Sequence, residues 1–307
     1  MPKSTFVSEK PTAEHRSFPE RSLMPPTMQG KQKGFTLIEL VLVIIVLGVV
    51  SISMSGLMRG AIDAVVTVSE REDLVREGSY LLERFNREVA NAVPNSVRIS
   101  GNASVHCLEF VPLKWSTIYL SLPLKSGSSR RANVIELSDI QGRAFTPSTS
   151  DIAIVFPTRP FDVYSDSSDK RQAISECSDD GDGDCATLDD SDHIVQLDFA
   201  DGFETTSPSR RMYFASEAVS YCVRAEEVYR HVSNISATQT LYTTGGALMA
   251  QNVLNQLGVS ASSGEQNPFT SISASLQRNA ATQALFIFGR EDERVTFMQE
   301  VQTPNAP

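Results

Sequence analysis

Residues that carry chemistry are scarce in this 307-residue chain. Its four histidines, His15, His106, His193 and His231, are scattered, and no pair has the spacing of a metal-binding helix. There is no Gly-x-Ser-x-Gly turn and no phosphate loop, so hydrolase and nucleotide-binding signatures are both missing. None of the four cysteines sits in a Cys-x-x-Cys pair, which argues against zinc and thioredoxin-type chemistry. The single tryptophan, Trp115, lies near Tyr119, and both read as core packing. His106, next to Cys107, reads as a residue at a strand edge. An enzyme is the class this sequence supports least.

Basic residues are short outside the first 34 positions. That opening stretch holds six Lys/Arg against three Glu, a net +3, which leaves −13 of the total −10 for residues 35–307. Phosphate binding needs basic patches, so nucleic acid is not expected as a partner. The opening stretch is Pro/Ser-rich and has no hydrophobic period, so it reads as disordered.

What the chain does have is Lys33-Gly34-Phe35-Thr36-Leu37-Ile38-Glu39-Leu40, which opens a long apolar run. Leu40 to Met58 contains no charge. As a helix it reaches about 28 Å, close to the roughly 30 Å of a bilayer core. Glu39 sits at the first turn, near headgroups and a helix N-terminus, where a carboxylate costs least. Basic residues before the span place the N-terminus in the cytoplasm and the rest of the chain outside.

This pattern resembles the type IV prepilin processing signal. The resemblance implies cleavage after Gly34 by a prepilin peptidase and N-methylation of Phe35. It also implies that Glu39 pairs with a neighbouring subunit's N-terminal amine. Met28 would give a seven-residue leader, nearer the usual length, and leaves the mature chain unchanged.

The helix continues past the span. No proline occurs from Arg59 to Val93, and Leu74, Gly78, Leu81, Phe85, Val89 and Ala92 recur on one helical face. Glu72–Arg76 and Glu83–Arg87 have the spacing of helical ion pairs. One helix from Thr36 to Ala92, about 85 Å long, is expected, with its second half laid on the following domain. Gly48, Gly56 and Gly60 suit either close packing between membrane helices or local melting during assembly.

Beyond Pro94 short branched and aromatic runs read as strands: 105–111, 118–122, 134–137, 152–156, 161–164, 194–199, 212–215, 219–223, 285–288 and 295–301. Residues 247–257 read as a short helix ended by Gly258. Stretches 126–131, 165–192 and 260–268 read as loops. The fold class is α+β, pilin-like, a long N-terminal helix packed on an antiparallel sheet. The expected parts are a leader (1–34), a transmembrane and amphipathic helix (35–93) and an extracytoplasmic β-rich domain (94–307).

Cys107, Cys177, Cys185 and Cys222 all lie beyond the span, and an even count in an exported domain favours disulfides. Three connectivities are open. Cys177–Cys185 is the easiest closure, at about 2–3 kcal/mol by loop entropy, and would leave Cys107–Cys222. Buried free thiols are the alternative. Seven aspartates fall between Asp179 and Asp192. Asp180, Asp182, Asp184 and Asp189, interspersed with Gly181 and Gly183, form a candidate Ca2+ loop of looser type than an EF-hand. A solvated acidic loop is the plain alternative.

Weaker patches are similar to the MshO-like minor pilins of the mannose-sensitive haemagglutinin (MSHA) pilus. They are Leu82 to Ile99, Cys107 to Pro112, Ser220 to Val223, Leu276 to Ala280 and Glu293 to Pro307. This similarity implies a low-abundance pilus subunit near the tip. It would work with the major and other minor pilins and with an inner-membrane assembly platform. It would be held in the inner membrane before cleavage and at the cell surface afterwards. A type II secretion pseudopilin shares the layout, and a pilin-anchored adhesin or calcium-binding module is the reading from another class.

Overall fold

Helix α1 (Leu37–Ala90) is one unbroken element of 54 residues in the computed structural model, which describes residues 34–135, 145–179, 185, 193–263, 266–272 and 280–302. It stops two residues short of Ala92. Pro94 disfavours helix at Val93, and the backbone turns to strand-like pairing there. Val93 N–H donates to Val111 O at 2.8 Å, and Leu113 N–H donates to Asn91 O at 2.9 Å.

The remaining elements follow in chain order: β1 (Arg98–Gly101), β2 (Val105–Phe110), β3 (Trp115–Ser121), β4 (Arg131–Ile135), β5 (Ile152–Val155), α2 (Pro160–Tyr164), β6 (Arg171–Asp179), β7 (Ile194–Phe199), β8 (Arg211–Ala215), β9 (Ala218–Arg224), β10 (Glu227–Ser233), β11 (Ala247–Ala250), β12 (Phe269–Ile272), β13 (Ala281–Arg290) and β14 (Glu293–Gln302). They make a five-stranded sheet β1-β2-β9-β10-β11, a three-stranded sheet β12-β13-β14 and a closed barrel β3-β4-β7-β6-β5-β8. The strand pairs within these sheets are antiparallel.

The chain clusters into two units, residues 1–60 and 61–307. Within the second, α1 buries Leu74, Gly78, Leu81, Phe85 and Val89, the stripe read from the sequence. These side chains share a core with Leu108, Phe110, Tyr221 and Val228 of the five-stranded sheet and with Phe269, Phe286 and Phe288 of the three-stranded one. Fully burying each apolar side chain is worth roughly 1.5–3 kcal/mol, against a few tenths for a surface ion pair on a helix. The stripe therefore decides how the helix docks. Arg76 pairs with Asp73 and Arg84 with Glu88, each at 3.0 Å, instead of the Glu72–Arg76 and Glu83–Arg87 pairs.

Glu88 fixes the rotation of α1 on the sheet. It accepts from Arg84 Nε at 3.0 Å, from Arg230 Nε at 2.9 Å and from the Tyr221 hydroxyl at 2.9 Å. Burial pushes its carboxyl up, but these three donors outweigh burial and hold it below the usual carboxylate range.

Four sequence expectations are corrected. Residues 171–179 form β6, inside the stretch read as a loop. A barrel strand has one wet face, so its single deeply buried apolar residue, Ile174, left little pattern to read. Residues 161–164 belong to α2, where Pro160 supplies the preset first helical residue. The stretch 247–257 is extended. β11 pairs with β10, and beyond it Val253 N–H donates to Glu226 O (2.8 Å) and Leu254 N–H to Ile287 O (2.7 Å), tying the two open sheets together. His106 lies on the interior strand β2, between β1 and β9, and is fully buried. Tyr119 does point into the barrel core, and Trp115 is half-buried and stacks on Phe145.

The β9–β10 hairpin turns through Ala225 and Glu226, with φ of 47° and 63°. Both are in the left-handed region, which Asn-Gly adopts readily. The double substitution Ala225→Asn, Glu226→Gly relieves left-handed strain of about 1–2 kcal/mol per residue against a glycine cost of roughly 0.5–1 kcal/mol, so stability should rise, measured by thermal or urea melting. At Gly78, an added Cβ would overlap the Phe297 ring of β14. Gly78→Ala should cost roughly 1–3 kcal/mol, and Phe297→Leu in the same chain should return part of it. A Gly78→Ala melt equal to wild type would contradict this packing.

Candidate functional site

Thr36 ends the non-helical approach to α1. Its carbonyl accepts from Glu39 N–H at 3.1 Å and from Leu40 N–H at 3.2 Å, and its Oγ1 lies 3.3 Å from the same Glu39 N–H. Thr36 is therefore the N-cap, and Glu39 occupies the third helical position. The Thr-x-x-Glu spacing is that of a capping box, a signal the sequence reading passed over. Glu39 thus has a local reason to be acidic, since the helix N-terminus favours a carboxylate. Gly34 and Phe35 precede the helix, and Phe35 is exposed.

Every residue from Leu37 to Gly60 is exposed within the chain, and this stretch is long and apolar enough to cross a bilayer. Its hydroxyls are satisfied internally. Ser51, Ser53 and Ser55 donate to the carbonyls of Leu47, Val49 and Ser51 at 2.7, 3.1 and 2.9 Å. The span therefore presents side chains but few unmet polar groups.

Residues 29–55 match the prokaryotic N-terminal methylation motif. This is the type IV pilin-like prepilin signal, and it implies processing by a prepilin peptidase and assembly with other pilins. It indicates a structural protein, and with the long apolar helix it fits an inner-membrane-anchored pilin that later enters a pilus. No curated protein and no solved structure gave a match.

Past the prepilin signal, the structure joins Cys107 to Cys222 and Cys177 to Cys185. Cys107 and Cys222 face each other across β2 and β9, with Cα atoms 4.1 Å apart. Leu241 and Tyr242, from the segment after β10, pack over this pair. The Cys177–Cys185 bond closes a loop of sequence separation 8. Asp180, Asp182, Asp184 and Asp189 lie outside the described residues. Among the described residues no group of His, Cys, Asp or Glu is placed to hold a metal.

The covering segment is latched. Arg224 donates to Tyr242 O at 3.0 Å and to Gly245 O at 2.7 Å. His231 stacks on Tyr242 with ring centroids 4.0 Å apart, and its Nε2 lies 3.2 Å from Arg224 Nη1. With Arg224 donating, that nitrogen is the acceptor and His231 is neutral. Burial, then the neighbouring Arg224 charge, holds its pKa below the usual histidine value. A histidine depressed on folding adds stability above its unfolded pKa, about 6.5, and loses it as pH falls further. Melting of the folded chain should drop as pH is lowered below that point, and His231→Gln should remove part of the drop. An unchanged pH profile in the variant would show that this latch does not titrate.

Proposed function

We propose that this chain is a minor pilin of an MSHA-type IV pilus, of MshO-like kind, that enters the fibre or primes its assembly near the tip. The observation that carries the reading is the methylation motif at 29–55, continued by an exposed apolar helix whose second half is seated on a β-rich body. In this reading residues 1–34 are the leader, with Met28 as an alternative start. Residues 35–93 form the anchoring helix and 94–307 the extracytoplasmic domain. Prepilin peptidase cuts after Gly34, and the new N-terminus at Phe35 is methylated. Glu39 receives the amine of a neighbouring subunit. The five-stranded sheet, three-stranded sheet and barrel make a bulky body, which suits a low-abundance position better than a tightly repeated shaft.

The same motif supports a type II secretion pseudopilin equally well. Neighbouring genes for a secretion system, or for a pilus, separate the two. Sequencing of the mature N-terminus should return a methylated Phe35. Glu39→Ala should leave export and cleavage intact while the chain's share of the sheared fibre fraction falls about tenfold, because the incoming amine loses its counter-charge. Unchanged incorporation would remove Glu39 from the assembly step, and an uncleaved leader would remove the prepilin reading altogether.

A further inference from the structure

Four strands leave an open edge among the described residues: β1, β11, β12 and β14. The first three are four residues long, whereas β14 runs for ten. Its ten pairs with β13 show no register shift, and it contains no proline and no lysine. Short strands, bulges, proline and lysine are the usual guards of an open edge. β14 has none of these, and the charges it carries are Glu293, Arg294 and Glu300.

The register says which of its backbone groups are free. Arg290 pairs with Glu293 across the two-residue loop Glu291-Asp292, and the closing pair of such a hairpin is hydrogen-bonded. Residues Glu293, Val295, Phe297, Gln299 and Val301 therefore bond β13. The far side of β13 agrees. Leu285 N–H donates to Pro268 O, Ile287 N–H to Asn255 Oδ1 and Gly289 N–H to Asn252 O, all away from β14. Those three stand opposite Met298, Thr296 and Arg294. Hence Arg294, Thr296, Met298, Glu300 and Gln302 aim their N–H and C=O groups outward, the Glu300 carbonyl accepting from Gln299 Nε2 at 3.0 Å, and among the described residues no other strand lies alongside them.

We propose that the outer edge of β14 is a strand-acceptor surface, filled in the assembly by an extended, proline-free segment of another pilin-like subunit. The main-chain ladder supplies affinity and alternate side chains supply selectivity. The incoming strand meets a cation at Arg294 and an anion at Glu300, so an acidic and a basic residue six positions apart would match it. This rests on the assembly reading given above, which also decides against a second copy paired β14 to β14. Two copies paired antiparallel through this edge are related by a two-fold axis normal to the sheet, which reverses residues 61–90 of α1. Chains anchored through the same N-terminal helix run the same way.

The test uses the full chain in cells that assemble it, with Thr296→p-benzoylphenylalanine as a photocrosslinker. One adduct is expected, to another chain that carries a methylated prepilin N-terminus. Met298→Pro with Glu300→Pro should reduce that adduct at least tenfold, since it removes two outward donors and no bond to β13. Melting and cleavage at Gly34 should stay as in the parent chain. Amide exchange at Thr296, Met298 and Glu300 should slow at least tenfold on going from the detergent-purified chain to the assembled one. This reading decides the matter if the proline chain fails to fold. An absent adduct, an adduct of two copies of this chain, an adduct that survives the prolines or unchanged exchange would each overturn the proposal. Cleavage and methylation at Phe35 would stand in every one of those cases, so the prepilin reading is judged separately.

Discussion

The body of the molecule depends on one stripe of α1. Leu74, Leu81, Phe85 and Val89 share one core with the five-stranded and three-stranded sheets. The close approach of Phe297 is possible because position 78 has no side chain. Apolar burial supplies the driving force, but it is non-directional. Of the three hydrogen bonds received by Glu88, the two from Arg230 and Tyr221 cross to the sheet and add direction. A misrotated helix would leave a half-buried carboxylate and the Arg230 guanidinium without each other, a cost of several kcal/mol. The stripe holds the helix on the sheets, and Glu88 selects its angle.

The helix was legible because its pattern is long. Six apolar or small residues at three-, four- and seven-residue spacing outweigh local noise, and five of them are the buried set of α1. Five of the six barrel strands were legible, since 118–122, 134–137, 152–156, 194–199 and 212–215 fall on β3, β4, β5, β7 and β8, but β6 and the start of β4 were not. Strands β6 and β4 each bury only one or two side chains and leave the rest wet, so they resemble loops or truncated strands. The segment 247–257 misled for a different reason. Leu248, Val253, Leu254 and Leu257 fit a helical face, yet open sheet edges on both sides claimed its backbone donors and acceptors. Local propensity lost to tertiary hydrogen bonding. Likewise, Ala225-Glu226 carries no turn signature, and the β9–β10 hairpin was missed because the sheet, not the turn, sets its register.

The candidate site was legible in its residues more than in their local roles. Gly34, Phe35 and Glu39 stood out by their order before an apolar run. That Thr36 caps the helix, and that Glu39 is its partner in spacing, follows from Thr-x-x-Glu. The latch over Cys107–Cys222 was invisible. Arg224, His231 and Tyr242 are brought together only by the hairpin and the return of residues 234–246.

The two halves of α1 share one ladder of backbone hydrogen bonds but solve different problems. From Leu74 onward the helix has its own protein to cover its apolar face. Before Gly60 it has none within the chain, and Leu37 to Val50 is almost wholly aliphatic. Leaving each such side chain in water costs on the order of 1.5–3 kcal/mol, so this half must always be covered by hydrocarbon or by other apolar helices. Exchanging one cover for the other costs little. The backbone is satisfied within the helix, and the serine hydroxyls bond to carbonyls one turn back. Only Glu39, at the capped first turn, carries a charge between Gly34 and Met58. A helix of this kind can pass from a bilayer to a helical bundle with few electrostatic terms changing, and in the proposed assembly these are the Glu39 carboxylate and the Phe35 amine.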